Sequence, residues 1–183
     1  MESAADAPDR AKHSFKMFPI AFQENITRLL GPEGGARLLA ALNDEAAPVS
    51  VRFNPLKGGA AAKAGLPVAE PVPWCADGFY LAERPQFTSD PLLHAGAYYV
   101  QEASSMFIAQ AFKQIDFAPR RVLDLCAAPG GKSTLWRALL PDDALLVANE
   151  PIRPRANILA ENLAKWGHPN VIVSNAYADG FAP

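Results

Sequence analysis

The stretch that most limits what this chain can fold into runs from Val122 to Ser133, VLDLCAAPGGKS. Val122, Leu123 and Leu125 flank Asp124 as a short apolar strand. Pro129, Gly130 and Gly131 then break the run, and Lys132, Ser133, Thr134, Leu135 and Trp136 restart it with the character of a helix. The same alternation continues downstream. It predicts strands at 122–126, 145–149 and 171–174, with helices at 132–140 and 154–166 between them. In the second helix Ala156, Leu159, Leu163 and Trp166, with Ile152 ahead of them, form the buried stripe, and Gly167 with Pro169 supplies the stop. Strands alternating with helices require right-handed crossovers and a parallel sheet. The expected fold class is therefore α/β.

Upstream the pattern is different. Phe18, Phe22, Ile26, Leu29 and Leu30 share one helical face between Pro19 and the Gly31-Pro32 break, and a second helix is expected from Glu33 to Leu42. Val49, Val51 and Phe53 alternate with Ser50 and Arg52, the period of a half-buried strand, stopped by Asn54-Pro55. Gly58 to Gly65 is alanine-rich and reads as a short helix or a loop. Pro67 to Pro91 is dense in proline, and Asp77-Gly78 marks a turn into a strand at Phe79-Tyr80-Leu81. Tyr98-Tyr99-Val100 leads into a helix from Gln101 to Phe112. These features divide the chain into a polar tail (1–17), a small mixed α/β module (18–95) and an α/β domain (96–183).

Composition narrows the function classes. A formal charge of −2 shows none of the basic excess usual in nucleic-acid binders, although a neutral total leaves room for a local patch. The two cysteines, Cys75 and Cys126, have no metal-ligand spacing and read as free thiols in a reducing compartment. No metal site is expected. No apolar run approaches the ~18 residues of a membrane span, and the N-terminus lacks a signal-peptide pattern, so a cytoplasmic protein with no membrane partner is expected.

Three ligands compete for a strand–glycine–helix turn. A P-loop needs G-x-x-x-x-G-K-[ST]; Gly131-Lys132-Ser133 supplies its second half, but Cys126 stands where the first glycine belongs and Pro129 removes an N–H from the cradle. A dinucleotide asks for G-x-G-x-x-G, and only adjacent glycines are present. S-adenosyl-L-methionine brings a carboxylate to the loop and a ribose whose two hydroxyls need an acid. Glu150, at the end of the next strand and 19 residues past Gly131, stands where that acid is needed. The third ligand fits best.

Four segments also resemble one family. DLCAAPGGK (124–132), ANEPIRPRANILAENLAKWGHPNV (148–171), GAYYVQEASSMF (96–107) and VSVRFNPLK (49–57) are similar to the RNA cytosine-5 methyltransferases of the Nop2/Sun/RsmF class. The resemblance implies the N-terminal portion of a Rossmann-like methyltransferase sheet preceded by the small mixed module. It implies S-adenosyl-L-methionine as cofactor and ribosomal or transfer RNA as partner; it says nothing of oligomeric state. Carried onto this chain, Cys126, Ala127, Ala128, Pro129, Gly130, Gly131 and Lys132 would wrap the methionine end of the cofactor. Glu150 would hold the ribose, with Arg155 on the helix that follows. The family's third acid, near the adenine, falls at Tyr177, and Asp179 two residues on is the acidic substitute.

The family attacks C6 of cytosine with a cysteine thiolate from segments that lie beyond the third strand, whereas this chain stops at Pro183. Neither Cys75 nor Cys126 inherits that role, so no catalytic residue is assigned. The expectation is a cofactor-binding half that is inactive by itself, with the strand at 122–126 left as a sheet edge. The alternative is a non-catalytic RNA-binding or scaffold module that kept the fold. Any RNA contact is expected at Arg52, Lys57, Arg120, Arg121 and the exposed aromatics of the upstream module.

Overall fold

The structure, a computed structural model, describes residues 18–43, 48–58 and 65–182. The polar tail and most of the Gly58–Gly65 stretch lie outside the described residues. The chain forms two compact units that meet in sequence at Ala47–Pro48.

The first unit contains helix α1 (Ile20–Asn43), which is broken at Gly31 with φ 73° and ψ 169°. Pro32 follows, where a missing N–H and the ring's clash with the preceding turn end a helix. The two arms correspond to the two helices expected from the sequence. They fold back until Gly35 lies on Thr27; a Cβ at position 35 would come within 3.0 Å of the Thr27 Cα.

The second unit begins with an antiparallel sheet of four strands, β1 (Val49–Phe53), β2 (Val68–Pro71), β3 (Gly78–Leu81) and β4 (Tyr98–Val100), in the order β2-β3-β1-β4. Val51 stands opposite Phe79 on one side and Val100 on the other. One face packs Val51, Phe53, Leu81, Phe87, Ala97 and Tyr98 into a core, beneath the short helix α2 (Pro91–His94). The strand at β1 was expected to be half-buried. It is buried on both faces: Ser50 is 4% exposed and Arg52 is 0% exposed, because the second face meets the α/β half of the unit.

The helix expected from Gln101 to Phe112 is two short pieces, α3 (Ala103–Met106) and α4 (Ile108–Phe112). Gln101 is held in the sheet instead: its N–H donates to Ser50 O at 3.2 Å, and its carbonyl accepts from Ser50 Oγ at 2.6 Å. Val72, Cys75, Ala103, Met106 and Ala109 form a second core that also takes in Leu135 from the α/β half.

That half runs β5 (Arg121–Asp124), α5 (Gly131–Leu139), β6 (Leu145–Asn149), α6 (Arg153–Trp166) and β7 (Val171–Ser174), with parallel strands in the order β5-β6-β7. This is the doubly alternating α/β pattern the sequence predicts, with boundaries displaced by at most two residues. Val122, Leu146, Ala148, Val171 and Val173 share the sheet face covered by Trp136 of α5 and by Leu159 and Leu163 of α6. On the opposite face Leu123, Val147 and Ile172 stand side by side in register, Leu123 43% and Ile172 52% exposed. Among the described residues β5 is an edge strand, as expected. None of the described helices is long and apolar enough to cross a membrane.

The antiparallel sheet is fastened to the C-terminal end of α6. The Asn54 carboxamide, 0% exposed, donates from Nδ2 to Gly96 O and to Trp166 O, each at 2.9 Å. Lys57 Nζ donates to Ala95 O at 2.7 Å and Lys165 O at 2.6 Å. The last carbonyls of a helix lack intrahelical donors and carry its negative pole, so an amide and a cation suit them. Gly96 (φ +71°) packs so closely that a Cβ would stand 1.9 Å from Lys165 O. Asn54→Ala is therefore expected to leave two buried acceptors without donors and to cost about 2 kcal/mol or more. Lys57→Ala, at an exposed helix end, should cost about 1 kcal/mol or less. Urea unfolding of both variants measures the difference.

Candidate functional site

Where β5 ends, Asp124 ties strand to helix. Its Oδ2 accepts from Ser133 Oγ at 2.8 Å and its Oδ1 from the Cys126 N–H at 3.3 Å. The loop between them is then secured by its carbonyl oxygens. Ala128 O accepts from Arg155 Nη2 at 3.2 Å. Pro129 O accepts from Asn162 Nδ2 at 2.8 Å and from the Tyr99 hydroxyl at 3.2 Å. Gly131 O accepts from Arg52 Nη2 at 3.2 Å and from Thr134 Oγ1 at 3.0 Å. Ala127 N–H donates to Asn149 O at 2.9 Å, joining the loop to β6. Gly130, at φ +113°, makes the turn into α5, a backbone region that side chains disfavour.

With its carbonyls bound to protein donors, the loop presents the opposite pole to its front. The first N–H groups of α5, at Gly131 and Lys132, have no acceptor within the helix and carry its positive end. They border a cleft of about 210 Å³ whose walls include Cys126, Ala127, Ala128, Pro129 and Lys132 on the loop side, and Tyr99, Gln101 and Glu102 opposite. A Cβ at Gly131 would stand 3.4 Å from Tyr99 Cε1 and 3.6 Å from Gln101 Nε2. The glycine keeps the two walls apart. Such a cleft suits a small ligand carrying an anionic or strongly accepting group.

Behind the loop lies Arg52, fully buried and, among the described residues, with no carboxylate bonded to it. Its Nε donates to Gln101 Oε1 at 2.9 Å, its Nη2 to Thr134 Oγ1 at 2.5 Å as well as Gly131 O, and its guanidinium lies 4.5 Å from the centre of the Trp166 ring. Burial pulls the group down to about 10, opposed by the Cys75, Asp77 and Tyr99 side chains, so it keeps its charge at neutral pH. Arg52 was expected to meet RNA from the surface; it is instead an interior brace. The strand's alternation concealed this, because the covering residues lie 79 and 82 positions further along.

The other expected RNA contacts are dispersed. Lys57 is engaged by the carbonyls of Ala95 and Lys165, Arg120 pairs with Asp143, and Arg121 is exposed. Phe87 is buried and the Trp74 Nε1 donates to Ala103 O at 2.7 Å, so these aromatics serve packing rather than an open stacking surface.

Glu150 sits at the end of β6, 2% exposed, and does not line the cleft. Its Oε1 accepts from the Ile152 N–H at 3.1 Å, and its Oε2 lies 3.4 Å from Arg155 Nη2, the same nitrogen that reaches Ala128 O. Arg155 thus links the acid to the loop. Tyr177, 77% exposed, and Asp179, also exposed, lie after β7 and are not brought to the cleft. Sequence reasoning missed Tyr99, Gln101 and Asn162 as parts of the site. The available signal was their position within the GAYYVQEAS segment and on the helix after Glu150.

Residues 18–103 match the family model for the N-terminal domain of 16S rRNA methyltransferase RsmF, and residues 116–181 match that of 16S rRNA methyltransferase RsmB/F. The chain belongs to the RsmB/F family. It is 39% identical over 109 residues to ribosomal RNA small subunit methyltransferase F of Serratia proteamaculans (strain 568), an alignment covering 58% of this chain and 23% of that protein. The chain thus spans about a quarter of the length of the curated relatives it matches. A methyltransferase homolog protein from Pyrococcus horikoshii superposes with a TM-score of 0.72 and 30% identity, covering 88% of this chain and 53% of that one. NSun6 from Pyrococcus horikoshii, solved with SFG, shares the fold at a TM-score of 0.71 and 16% identity, covering 88% of this chain and 66% of that one.

Gly131→Ala should separate folding from binding at this site. Position 131 has no left-handed backbone and an added methyl would meet only ordinary contacts, so stability should stay level or rise by up to about 1 kcal/mol. The same methyl covers the carboxamide of Gln101 and narrows the cleft. Thermal melting with and without ligand should show a free midpoint that is level or slightly raised and no ligand-induced rise.

Proposed function

We propose that the chain supplies the S-adenosyl-L-methionine half of an RNA cytosine-5 methyltransferase acting on ribosomal RNA. The observation that carries this reading is the loop at 126–132. Its carbonyls are held away by Arg52, Asn162, Tyr99 and Arg155, and its helix start faces a cleft that a side chain at 131 would narrow. A carboxylate-bearing ligand without phosphates suits that arrangement, in keeping with the family to which the chain belongs.

When bound, the cofactor would supply a methyl group activated on a sulfonium. The chain's own residues would hold and orient it. Cys126, Ala127, Ala128, Pro129, Gly130, Gly131 and Lys132 would enclose the methionine end. Glu150 would accept from the ribose hydroxyls, with Arg155 keeping the carboxylate in step with the loop at Ala128. Tyr177 and Asp179 would flank the adenine side after β7.

Neither cysteine is suited to attack the pyrimidine. Cys75 is 6% exposed within the second core, where burial pushes its thiol up, and Cys126 lines the cofactor cleft. Methyl transfer by this chain alone is therefore not expected. Purified chain incubated with labelled S-adenosyl-L-methionine and ribosomal RNA should give no turnover above background; turnover would overturn this assignment.

A second reading, a non-catalytic module, draws on Glu150, whose carboxylate is already engaged by Ile152 and Arg155. Calorimetry with S-adenosylhomocysteine separates the two. Saturable binding that disappears in Gly131→Ala supports the cofactor half, and at a ligand concentration of 100 Kd it should add about 2.7 kcal/mol of stability. Absence of heat supports the module.

A further inference from the structure

We propose that Gln101 is a ligand-binding residue of the glycine-loop cleft, its carboxamide N–H donating to the carboxylate of the bound amino-acid end, and that Arg52 is the positioning residue that aims it. The proposal rests on the cofactor reading above and adds to it a donor from outside the loop.

Gln101 is 6% exposed, and its two polar atoms are treated differently. Oε1 accepts from Arg52 Nε at 2.9 Å, whereas Nε2 is buried without a hydrogen-bond partner. A buried amide donor left unmatched costs free energy comparable to a lost hydrogen bond. The orientation has a cause. Arg52 has only donors to offer, so it draws the carbonyl end of the carboxamide toward itself and turns the NH₂ end away. Arg52 is itself fixed by Gly131 O, Thr134 Oγ1 and the Trp166 ring, so the amide has no freedom to reverse.

The NH₂ end lies against the start of α5, which borders the cleft. Gln101 is one of the cleft's wall residues, and its Nε2 is 3.6 Å from where a Cβ on Gly131 would stand. An acceptor seated beside the Gly131 backbone therefore comes within reach of three kinds of donor. These are the helix-start N–H groups, the Lys132 ammonium and the Gln101 amide, a set that fits a carboxylate. Glu102 on the same wall offers a carboxylate to the ammonium of an amino acid.

Gln101→Glu tests this with little disturbance to the fold. The new carboxylate still accepts from Arg52, so the melting midpoint of the free protein should hold, but the donor is gone and a negative charge faces the ligand. S-adenosylhomocysteine, which carries the carboxylate, should bind at least about tenfold more weakly, the loss expected for a hydrogen bond to a charged acceptor. 5′-Methylthioadenosine, which keeps the adenosine and lacks the carboxylate, should bind the variant and the parent chain alike. Equal weakening of both ligands, or of neither, overturns the role of Gln101 while leaving the cofactor reading standing. If the parent chain binds neither ligand, the cofactor reading falls and this inference falls with it.

Discussion

The second unit is organised around a buried positive charge to which no carboxylate is bonded among the described residues. An isolated guanidinium in a dry interior is costly, and proteins ordinarily answer it with a carboxylate or with several well-aimed acceptors. Arg52 takes the second course, using a backbone carbonyl, a hydroxyl, a carboxamide oxygen and an indole face. The four acceptors come from three elements: two from the first turn of α5, one from the segment after β4, and one from the end of α6. One side chain on β1 thereby sets the positions of three pieces of chain that the sequence keeps far apart. The choice of acceptors also leaves carboxylates such as Asp124 and Glu150 for work at the loop and at β6.

The same chemistry recurs. Lys57 binds the Lys165 carbonyl at the end of α6, and Arg137, 2% exposed, binds those of Leu140, Pro141 and Ala144 beyond α5. Both helices that cover the parallel sheet therefore have cations at their negative poles. Their N-terminal ends differ from each other. That of α5 opens on the cleft, whereas at the start of α6 the Ile152 N–H donates to Glu150 Oε1. Carbonyls are satisfied by the protein itself on the rear side of the loop, and amide hydrogens are presented at the front. This separation of poles makes the loop a receptor for an acceptor group rather than for a cation.

Much of the parallel half was legible because its signals are local. A strand of four or five residues, a glycine turn and a 3.6-residue stripe each lie within a single window of sequence. The break at Gly31-Pro32 was legible for the same reason. What escaped depends on partners far along the chain. Arg52 looked like the wet side of a strand because nothing near it announces Gly131 and Thr134. Gln101 looked like the start of a helix, whereas its backbone extends the sheet through Ser50. β2 was hidden by its prolines; Pro71 is tolerated there because the strand lies at the edge of its sheet. Glu150 was placed correctly at the end of β6, but its burial and its bond to Ile152 could not be read from spacing.

Among the described residues the parallel sheet is dressed on one face only, and this has a calorimetric consequence. Leu123, Val147 and Ile172 form a row whose outer members already touch water in the native state. The heat-capacity rise on unfolding comes from newly hydrated apolar surface, about 12–15 cal/mol/K per residue in an ordinary domain. Surface that is wet beforehand contributes nothing to that rise. That row therefore adds less to the heat-capacity rise, and to the curvature of the stability curve, than the same residues would if they were covered.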